Sequence, residues 1–332
     1  MVSPARYLVT GGAGFIGSNI VAALTRAGER VRVLDNLVTG RWALVSRLVP
    51  DMDMVEKVTG DIRDPATVAG AMKGIEVVFH EAALGSVPRS IETPVETDRV
   101  NVGGTVVVLD EARRAGVRRV VFAASSSAYG DTPTLPKRED MPSSPLSPYA
   151  ITKIACESYL KVFAALYGME TVCLRYFNVF GPNQLPDGPY AAAIPRFLKA
   201  AVAGEPIMIY GDGTQSRDFC FIDNTVSANL LAAQATRKLT GEVINVAGGR
   251  RITLNELVAE IGKLTGGKID VRHVEPRQGD VKHSLADISR AHELLGYEPK
   301  VKWEEGLPST LAFLRELHEK GLPALGELPR GL

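Results

Sequence analysis

The sequence predicts a doubly wound, parallel α/β sheet with a smaller α/β lobe behind it. Three observations carry that prediction. Through the first half of the 332 residues, short apolar runs alternate with helical patterns, as parallel strands joined by crossover helices require. The first run, YLVT, breaks into a glycine-rich turn that opens a helix. The second run, VRVLD, ends on a carboxylate.

The strands are read in order from "YLVTG", "VRVLD", "VEKVTGD", "EVVFHEAA", "RRVVFAAS" and "ETVCLRYFNVFG", all short and rich in Val. Branched and aromatic side chains of this kind fit a pleated surface packed on both faces. Between them, "GFIGSNIVAALTRAG", residues 94–115 and "YAITKIACESYLKVFAALYG" read as helices. Near residue 180 the character changes. The Pro- and Gly-rich "GPNQLPDGPYAAAIP" is followed by "PIMIYGDG", "RDFCFID" and "EVINVAGG", then by helices near 253–265, 286–295 and 304–320. Residues 1–180 are expected to form the main domain. Residues 181–332 are expected to form mainly the smaller lobe, with some segments returning to the first. The end, "GLPALGELPRGL", reads as a loosely held tail.

Composition excludes several classes of partner. Lys plus Arg and Asp plus Glu both number 38, so neither a nucleic-acid backbone nor an anionic membrane is expected to bind. No uninterrupted apolar run reaches the roughly 18 residues of a membrane-spanning helix, and the start does not read as a signal peptide. The three cysteines, Cys156, Cys173 and Cys220, contain no CxxC pair. Free thiols in a reducing cytoplasm are expected, without disulfides. The five histidines show no ligand spacing, so no metal is expected.

Gly12-Ala13-Gly14-Phe15-Ile16-Gly17 fits G-x-G-x-x-G, and Gly11, Gly14 and Gly17 also fit G-x-x-G-x-x-G. Glycines there allow a tight turn and close backbone approach to a pyrophosphate at a helix N-terminus. A plain βα turn uses glycines too, so context decides. The pattern follows the first strand and opens a helix, and Asp35 ends the second strand 18 residues past Gly17. That is the Rossmann arrangement. A carboxylate at Asp35 accepts hydrogen bonds from ribose hydroxyls and repels a 2′-phosphate, favouring NAD over NADP; the competing reading is a solvated strand-end acid. Arg41 is the one nearby cation suited to a 2′-phosphate, but Asp35 is nearer the expected position.

In "SPLSPYAITKIACE", Tyr149 and Lys153 stand four apart behind Pro148, a residue suited to a helix start. The spacing puts phenol and ammonium on one helix face. A phenol of pKa ~10 is a poor base at neutral pH, and neighbouring positive charge favours its ionised form. On its own YxxxK is common on amphipathic helices. Its meaning comes from following a dinucleotide fingerprint and a strand that ends in Ser125, Ser126 and Ser127.

Together, "TGGAGFIG", "GDI" at 60–62, "ASSSAYGD", "YAITK" and "LRYFNVFG" resemble the extended short-chain dehydrogenase/reductase family, and within it the nucleotide-sugar 4-epimerases. The resemblance runs to about residue 317 and is closest to the UDP-N-acetylglucosamine 4-epimerases. It implies a tightly bound NAD, regenerated each cycle. The turn Gly11, Gly14, Phe15, Ile16 and Gly17 would hold the pyrophosphate and Asp35 the adenosine ribose, with Asn36, Thr39 and Gly40 also among the cofactor contacts. Asp61 and Ile62 would flank the adenine and Asn101 and Phe177 the cofactor's far end, with Ala82, Tyr149 and Lys153 as further cofactor contacts. It also implies that Tyr149 is the acid/base on the sugar C4 hydroxyl, that Lys153 holds the nicotinamide ribose and tunes Tyr149, and that Ser125 shares the hydrogen bond. Sugar 4,6-dehydratases place Asp and Glu where this chain has Ser126 and Ser127, and UDP-xylose synthases place a Glu. Without those carboxylates the implied cycle is short: oxidation at C4, rotation of the 4-keto sugar, and hydride return to its other face.

For the UDP-sugar, the resemblance points to Gly85, Ser86, Ser125, Ser126, Tyr149, Asn178, Ala192, Ala193, Tyr210, Arg217, Arg277, Asp280 and Ser284. Guanidinium groups suit a diphosphate, though any one of these arginines alone also reads as a surface ion pair. Ser284 stands where relatives restricted to unacetylated sugars tend to carry Tyr. It therefore suggests room for an N-acetyl group, against the plainer reading of a small residue filling a tight loop. A roomy pocket rejects smaller sugars only weakly. UDP-glucose/UDP-galactose epimerisation is thus the alternative, with UDP-glucuronate behind it for want of a cation to meet C6. His80 reads as a packed strand-end residue, and Glu81 as an acid that could titrate oddly near the nicotinamide, although nothing in the sequence demands it. The helices near 94–115 and 149–167 carry apolar residues on more than one face, and the family pairs them in a homodimeric four-helix bundle. Burial within the chain is the alternative.

Overall fold

The computed structural model describes residues 4–186, 192–267, 269–275 and 281–320. The tail and two expected substrate contacts, Arg277 and Asp280, lie outside the described residues.

The first half alternates as its apolar runs demand. In chain order come β1 Tyr7–Thr10, α1 Phe15–Arg26, β2 Val31–Asp35, α2 Trp42–Leu48, β3 Val55–Thr59, α3 Pro65–Met72 and β4 Val77–His80. Then follow α4 Val87–Glu92, α5 Pro94–Asp98, a π-helical turn Arg99–Gly103, α6 Gly104–Arg114, β5 Arg119–Ser125, α7 Pro148–Tyr167 and β6 Glu170–Tyr176. The second half adds β7 Val179–Phe180, α8 Ala193–Ala203, β8 Ile207–Tyr210, β9 Ser216–Asp218, β10 Cys220–Phe221 and α9 Ile222–Gln234. It closes with β11 Thr240–Val246, β12 Arg251–Thr253, α10 Leu254–Thr265, β13 Val271–Val274, α11 Ser289–Leu295 and α12 Trp303–Lys320.

Seven strands form one parallel sheet in the order β11-β6-β5-β4-β1-β2-β3. The strand order reverses between β1 and β4, the switch point at which such sheets bind ligands beyond their strand ends. Strand alternation splits the core in two. Val9, Phe79, Val121 and Leu174 face α1 and α9, while Leu8, Val78, Val120, Phe122 and Cys173 face α3, α6 and α7. The seventh strand, β11, and the covering helix α9 both come from beyond residue 181, so the second half is shared between the main sheet and the small lobe. In that lobe, β8 pairs with β13, β9 with β12, and β7 with β10.

Helix α7 starts where the sequence places it. Ser147 caps it by accepting the Ala150 N–H at 3.2 Å, and Pro148 occupies the first turn. Gly168, in the left-handed conformation, ends it. One turn beyond Lys153, Glu157 pairs with Arg175 of β6 through two bonds of 2.8 and 2.7 Å, both side chains being buried. The Arg175 guanidinium also lies 4.6 Å from the Tyr129 ring.

Removing one member of such a pair leaves a buried charge without its counterion. The Glu157→Leu variant is expected to lose about 3–5 kcal/mol of stability in urea titrations. Adding Arg175→Leu should recover most of that loss, and failure to do so would show that the pair's charge is not the cause.

Candidate active site

The site assembles on the carboxyl-terminal edge of the sheet, where β1, β2, β4, β5 and β6 end in Thr10, Asp35, His80, Ser125 and Tyr176. Gly11 takes φ +69° directly after β1, in the left-handed region that favours glycine. A Cβ built on it would stand 2.7 Å from the Ala82 nitrogen, and one on Gly17 would collide with the Gly11 carbonyl oxygen. The turn thus presents bare backbone at the N-terminus of α1, a cradle that fits a dinucleotide pyrophosphate.

Asp35 closes the cradle from the side. Its carboxylate accepts N–H bonds from Ala13 (3.0 Å) and Leu37 (2.8 Å). The following loop passes so close that a Cβ on Gly40 would stand 2.7 Å from both carboxylate oxygens. Burial raises the Asp35 pKa and the two N–H bonds oppose that rise. Two of about four acceptor positions are used, leaving capacity for ribose hydroxyls. Beyond it, Asp61 is held down to about 2, chiefly by Arg63, with desolvation opposing and Asn36 donating at 2.9 Å. Ile62 is buried against Gly104, while Asn36 and Thr39 are exposed.

At the other end, Lys153 is 3 % exposed and makes no ion pair among the described residues. Its ammonium donates to the Ala123 carbonyl at 2.7 Å and lies 4.7 Å from the Phe122 ring and 5.8 Å from the Tyr149 ring. Two N–H donors remain. Tyr149, in the first turn of α7, is partly exposed toward the same end. Ser125 ends β5 opposite Tyr176 of β6. Its Oγ accepts from the Ser127 N–H (3.2 Å) and the Ser127 hydroxyl (2.9 Å). With both donors pointing in, the Ser125 O–H is left to donate outward. Ser127 therefore has a task that its place in a serine run did not reveal.

Asn101 and Phe177 stand differently from a simple cofactor contact. The Asn101 amide is 2 % exposed and spent on protein. It accepts from the Leu84 N–H at 2.8 Å and donates to the Leu84 carbonyl at 3.3 Å and to Thr152 Oγ1 at 3.0 Å, so it ties the loop after β4 to α7. The Phe177 ring is fully buried with Tyr129, Ala247 and Ala286. His80 lies between Thr10 (2.6 Å) and Thr105 (2.9 Å), and burial, helped by Lys153, pushes its pKa down to about 3. It is the packed, neutral strand-end residue that its setting suggested.

The small lobe brings Arg217 beside Ser284: the Ser284 N–H donates to the Ser216 carbonyl at 3.0 Å, and Arg217 reaches the carbonyls of Ser216 and Lys282. Ser284 is 9 % exposed. Asp218, fully buried, accepts from the Gly248 N–H (3.0 Å) and the Ala286 N–H (3.1 Å); burial pushes its pKa up to about 7 against these bonds. Asn178, at φ +34°, donates to the Asp218 carbonyl at 3.1 Å. Ala192 and Ala193 open α8, the Tyr210 ring lies 5.2 Å from the Arg196 guanidinium, and Ser86 caps α4 one residue after the exposed Gly85. Asp218, Glu81, Tyr176 and Asn229 belong to the site's framework and were not singled out by motif, except Glu81.

Comparison with known proteins agrees with this geometry. Residues 7–247 match the model of the NAD dependent epimerase/dehydratase family. The chain is 40 % identical over 313 residues to a UDP-glucose 4-epimerase of Mycolicibacterium smegmatis, covering 93 % of this chain and 98 % of that one. Among solved structures, a UDP-N-acetylglucosamine 4-epimerase from Methanobrevibacter ruminantium, in complex with UDP-N-acetylmuramic acid, superposes with a TM-score of 0.89 at 39 % identity, over 95 % and 99 % of the two chains. A UDP-glucose 4-epimerase from Thermotoga maritima, with UDP-glucose, gives 0.88 at 37 % identity, over 94 % and 99 %. The chain belongs to the NAD dependent epimerase/dehydratase family.

Proposed function

We propose that this protein is an NAD-dependent UDP-sugar 4-epimerase whose sugar is an N-acetylhexosamine, interconverting UDP-N-acetylglucosamine and UDP-N-acetylgalactosamine. Residues 1–180 would carry the cofactor and the following lobe most of the UDP-sugar. The three buried cysteines form no disulfide among the described residues, in keeping with a cytoplasmic enzyme.

The observation that carries the reaction type is the hydroxyl cluster at the end of β5. The family's description covers both epimerases and dehydratases, and dehydration needs an acid beside the reacting carbons. Here Ser126 and Ser127 occupy those positions, and Ser127 is engaged in orienting Ser125. The acid that does reach this end, Glu81, is bonded to Tyr176. NAD, when bound, supplies hydride transfer at C4. Tyr149 takes and returns the C4 hydroxyl proton, with the Lys153 ammonium stabilising its ionised form. Lys153 keeps two donors for the ribose, and Ser125 donates to the C4 oxygen. Ser284, small and beside Arg217, supports the N-acetyl reading by absence of bulk. UDP-glucose/UDP-galactose is the second reading, because a pocket that admits the larger sugar excludes the smaller one weakly.

The exposed apolar side chains favour a second copy of this chain as partner. Val95 of α5 (63 %) and Ile91 of α4 (57 %) stand near α7, whose Ile151 (56 %) and Leu166 (69 %) are also bare. Isolated exposed apolar residues are ordinary, but these belong to three helices that pack against one another. They suit a symmetric four-helix interface.

Three measurements test these readings. Purified protein without added NAD should convert UDP-N-acetylglucosamine to its 4-epimer when incubated in parallel with UDP-glucose and UDP-glucuronate. Turnover of UDP-glucose alone would sink the N-acetyl assignment, and no epimer from any sugar, even with NAD supplied, would sink the reaction. Tyr149→Phe should lower kcat by about 10²–10⁴-fold while NAD stays bound; full activity would remove Tyr149 from the chemistry. Leu166→Arg should shift the protein from dimer to monomer in sedimentation equilibrium, and an unchanged mass would remove α7 from the interface.

A further inference from the structure

Glu81 is a half-buried acid that the reaction as described does not use. It directly follows β4, and its N–H donates to the Thr10 carbonyl at 3.1 Å. It passes so close to the glycine turn that a Cβ on Gly11 would stand 3.0 Å from its carbonyl carbon. Its carboxyl accepts the Tyr176 O–H at 2.9 Å, and the Tyr176 oxygen accepts from Asn229 of α9 at 2.8 Å. Tyr176 in turn stands opposite Ser125 across neighbouring strands. The network thus spans the strand ends between the glycine cradle and the reacting end, beside the apolar Val9, Phe79, Val121 and Leu174. Among the described residues Glu81 makes no ion pair with Lys, Arg or His.

A desolvated carboxyl without a fixed counterion is costly. It becomes favourable when a cation arrives, and the ring of oxidised NAD is a cation that is lost on reduction. We propose that Glu81, held by Tyr176 and Asn229, is a positioning residue that biases the bound dinucleotide toward its oxidised form. The inference rests on the cofactor site and not on which sugar is turned over. Its use is plain for an enzyme that must finish each turnover with its cofactor oxidised: when the ring is neutral, the carboxylate loses its counterion and takes up a proton.

The surroundings leave Glu81 free to make that change near neutrality. Desolvation pushes its carboxyl up to about 7, opposed by the Tyr176 hydrogen bond and by the Lys153 ammonium on α7. His80 of β4 is neutral, and the Tyr176 phenol of β6 is held protonated, well above its ordinary range. Beyond Tyr176, the thiol of Cys220 on β10 is lifted to about 12. Asn229 of α9, Thr10 of β1 and Ser125 of β5 carry no charge. By linkage, ionised Glu81 favours the oxidised ring above its midpoint, and the preference fades as pH falls and the carboxyl protonates.

The test equilibrates the full chain with NAD and NADH at a defined ratio at about pH 5.5 and about pH 8.5, either side of the pKa range of a raised carboxyl. Free nucleotide is then removed and the bound fractions read from NADH fluorescence. In the unaltered protein the NAD preference should grow toward the higher pH. Glu81→Gln should shift the bound ratio roughly tenfold toward NADH at the higher pH and flatten its pH course. Tyr176→Phe keeps the carboxyl but loses a bond that lowers its pKa, so the rise should move to higher pH. A folded Glu81→Gln protein with the parent's ratio and pH course overturns the proposal. A flat pH course in the unaltered protein does so without any variant.

Discussion

The buried pair between Glu157 and Arg175 is the constraint on which the site's geometry depends. It ties the third turn of α7 to β6 with a forked, two-bond geometry that allows little play between helix and sheet. Lys153 and Tyr149 lie one and two turns back along the same helix. Once the helix is docked, the Lys153 ammonium comes under the Ala123 carbonyl, 5.8 Å from the Tyr149 ring one turn back. A looser helix would leave all three groups present but out of register. Catalytic power falls steeply with such misplacement.

A second theme is the use of short-range polar staples wherever backbone must be held near a ligand. Asp35 binds the glycine turn to the loop after β2, Asn101 binds the loop after β4 to α7, and Asp218 binds β9 to the segments at Gly248 and Ala286. Each is a buried group whose acceptors are met by backbone N–H donors, which makes burial tolerable. Loops at a sheet edge have no ladder to fix them, so side chains do the fixing. Asp218 also links the small lobe to the main one through Asn178, on whose amide its carbonyl depends.

Much of the fold was legible because the hydrophobic pattern and the strand period agree locally. All six strands of the first half appear where their Val-rich runs stand, and Ser147-Pro148 opens α7 as helix-start chemistry requires. The helices α8 and α9 and the return of β11 to the sheet were less visible. α9 is apolar on several faces because it is wedged between α1 and the strands β5 and β6, a burial that erases amphipathic contrast. Nothing local in "GEVINVAGG" says that it pairs with β6 and not with a neighbour in its own lobe.

The site divides along the same line. By itself, the sequence determined the chemistry available: glycines where backbone must approach a phosphate, an acid ending the second strand, Tyr149 and Lys153 one helical turn apart, and serines where related enzymes keep carboxylates. These depend on residue type and short spacing, which a chain carries in one dimension. Only the tertiary structure decided which groups share a task. Ser127 points its hydroxyl at Ser125, Asn101 spends its amide on Leu84 and Thr152, and Glu81 meets Tyr176 from 95 residues away. Those partnerships depend on strand order, on which face a side chain takes, and on how much water is excluded. The last of these sets whether a carboxyl stays ionised, and it exists only once the chain has packed.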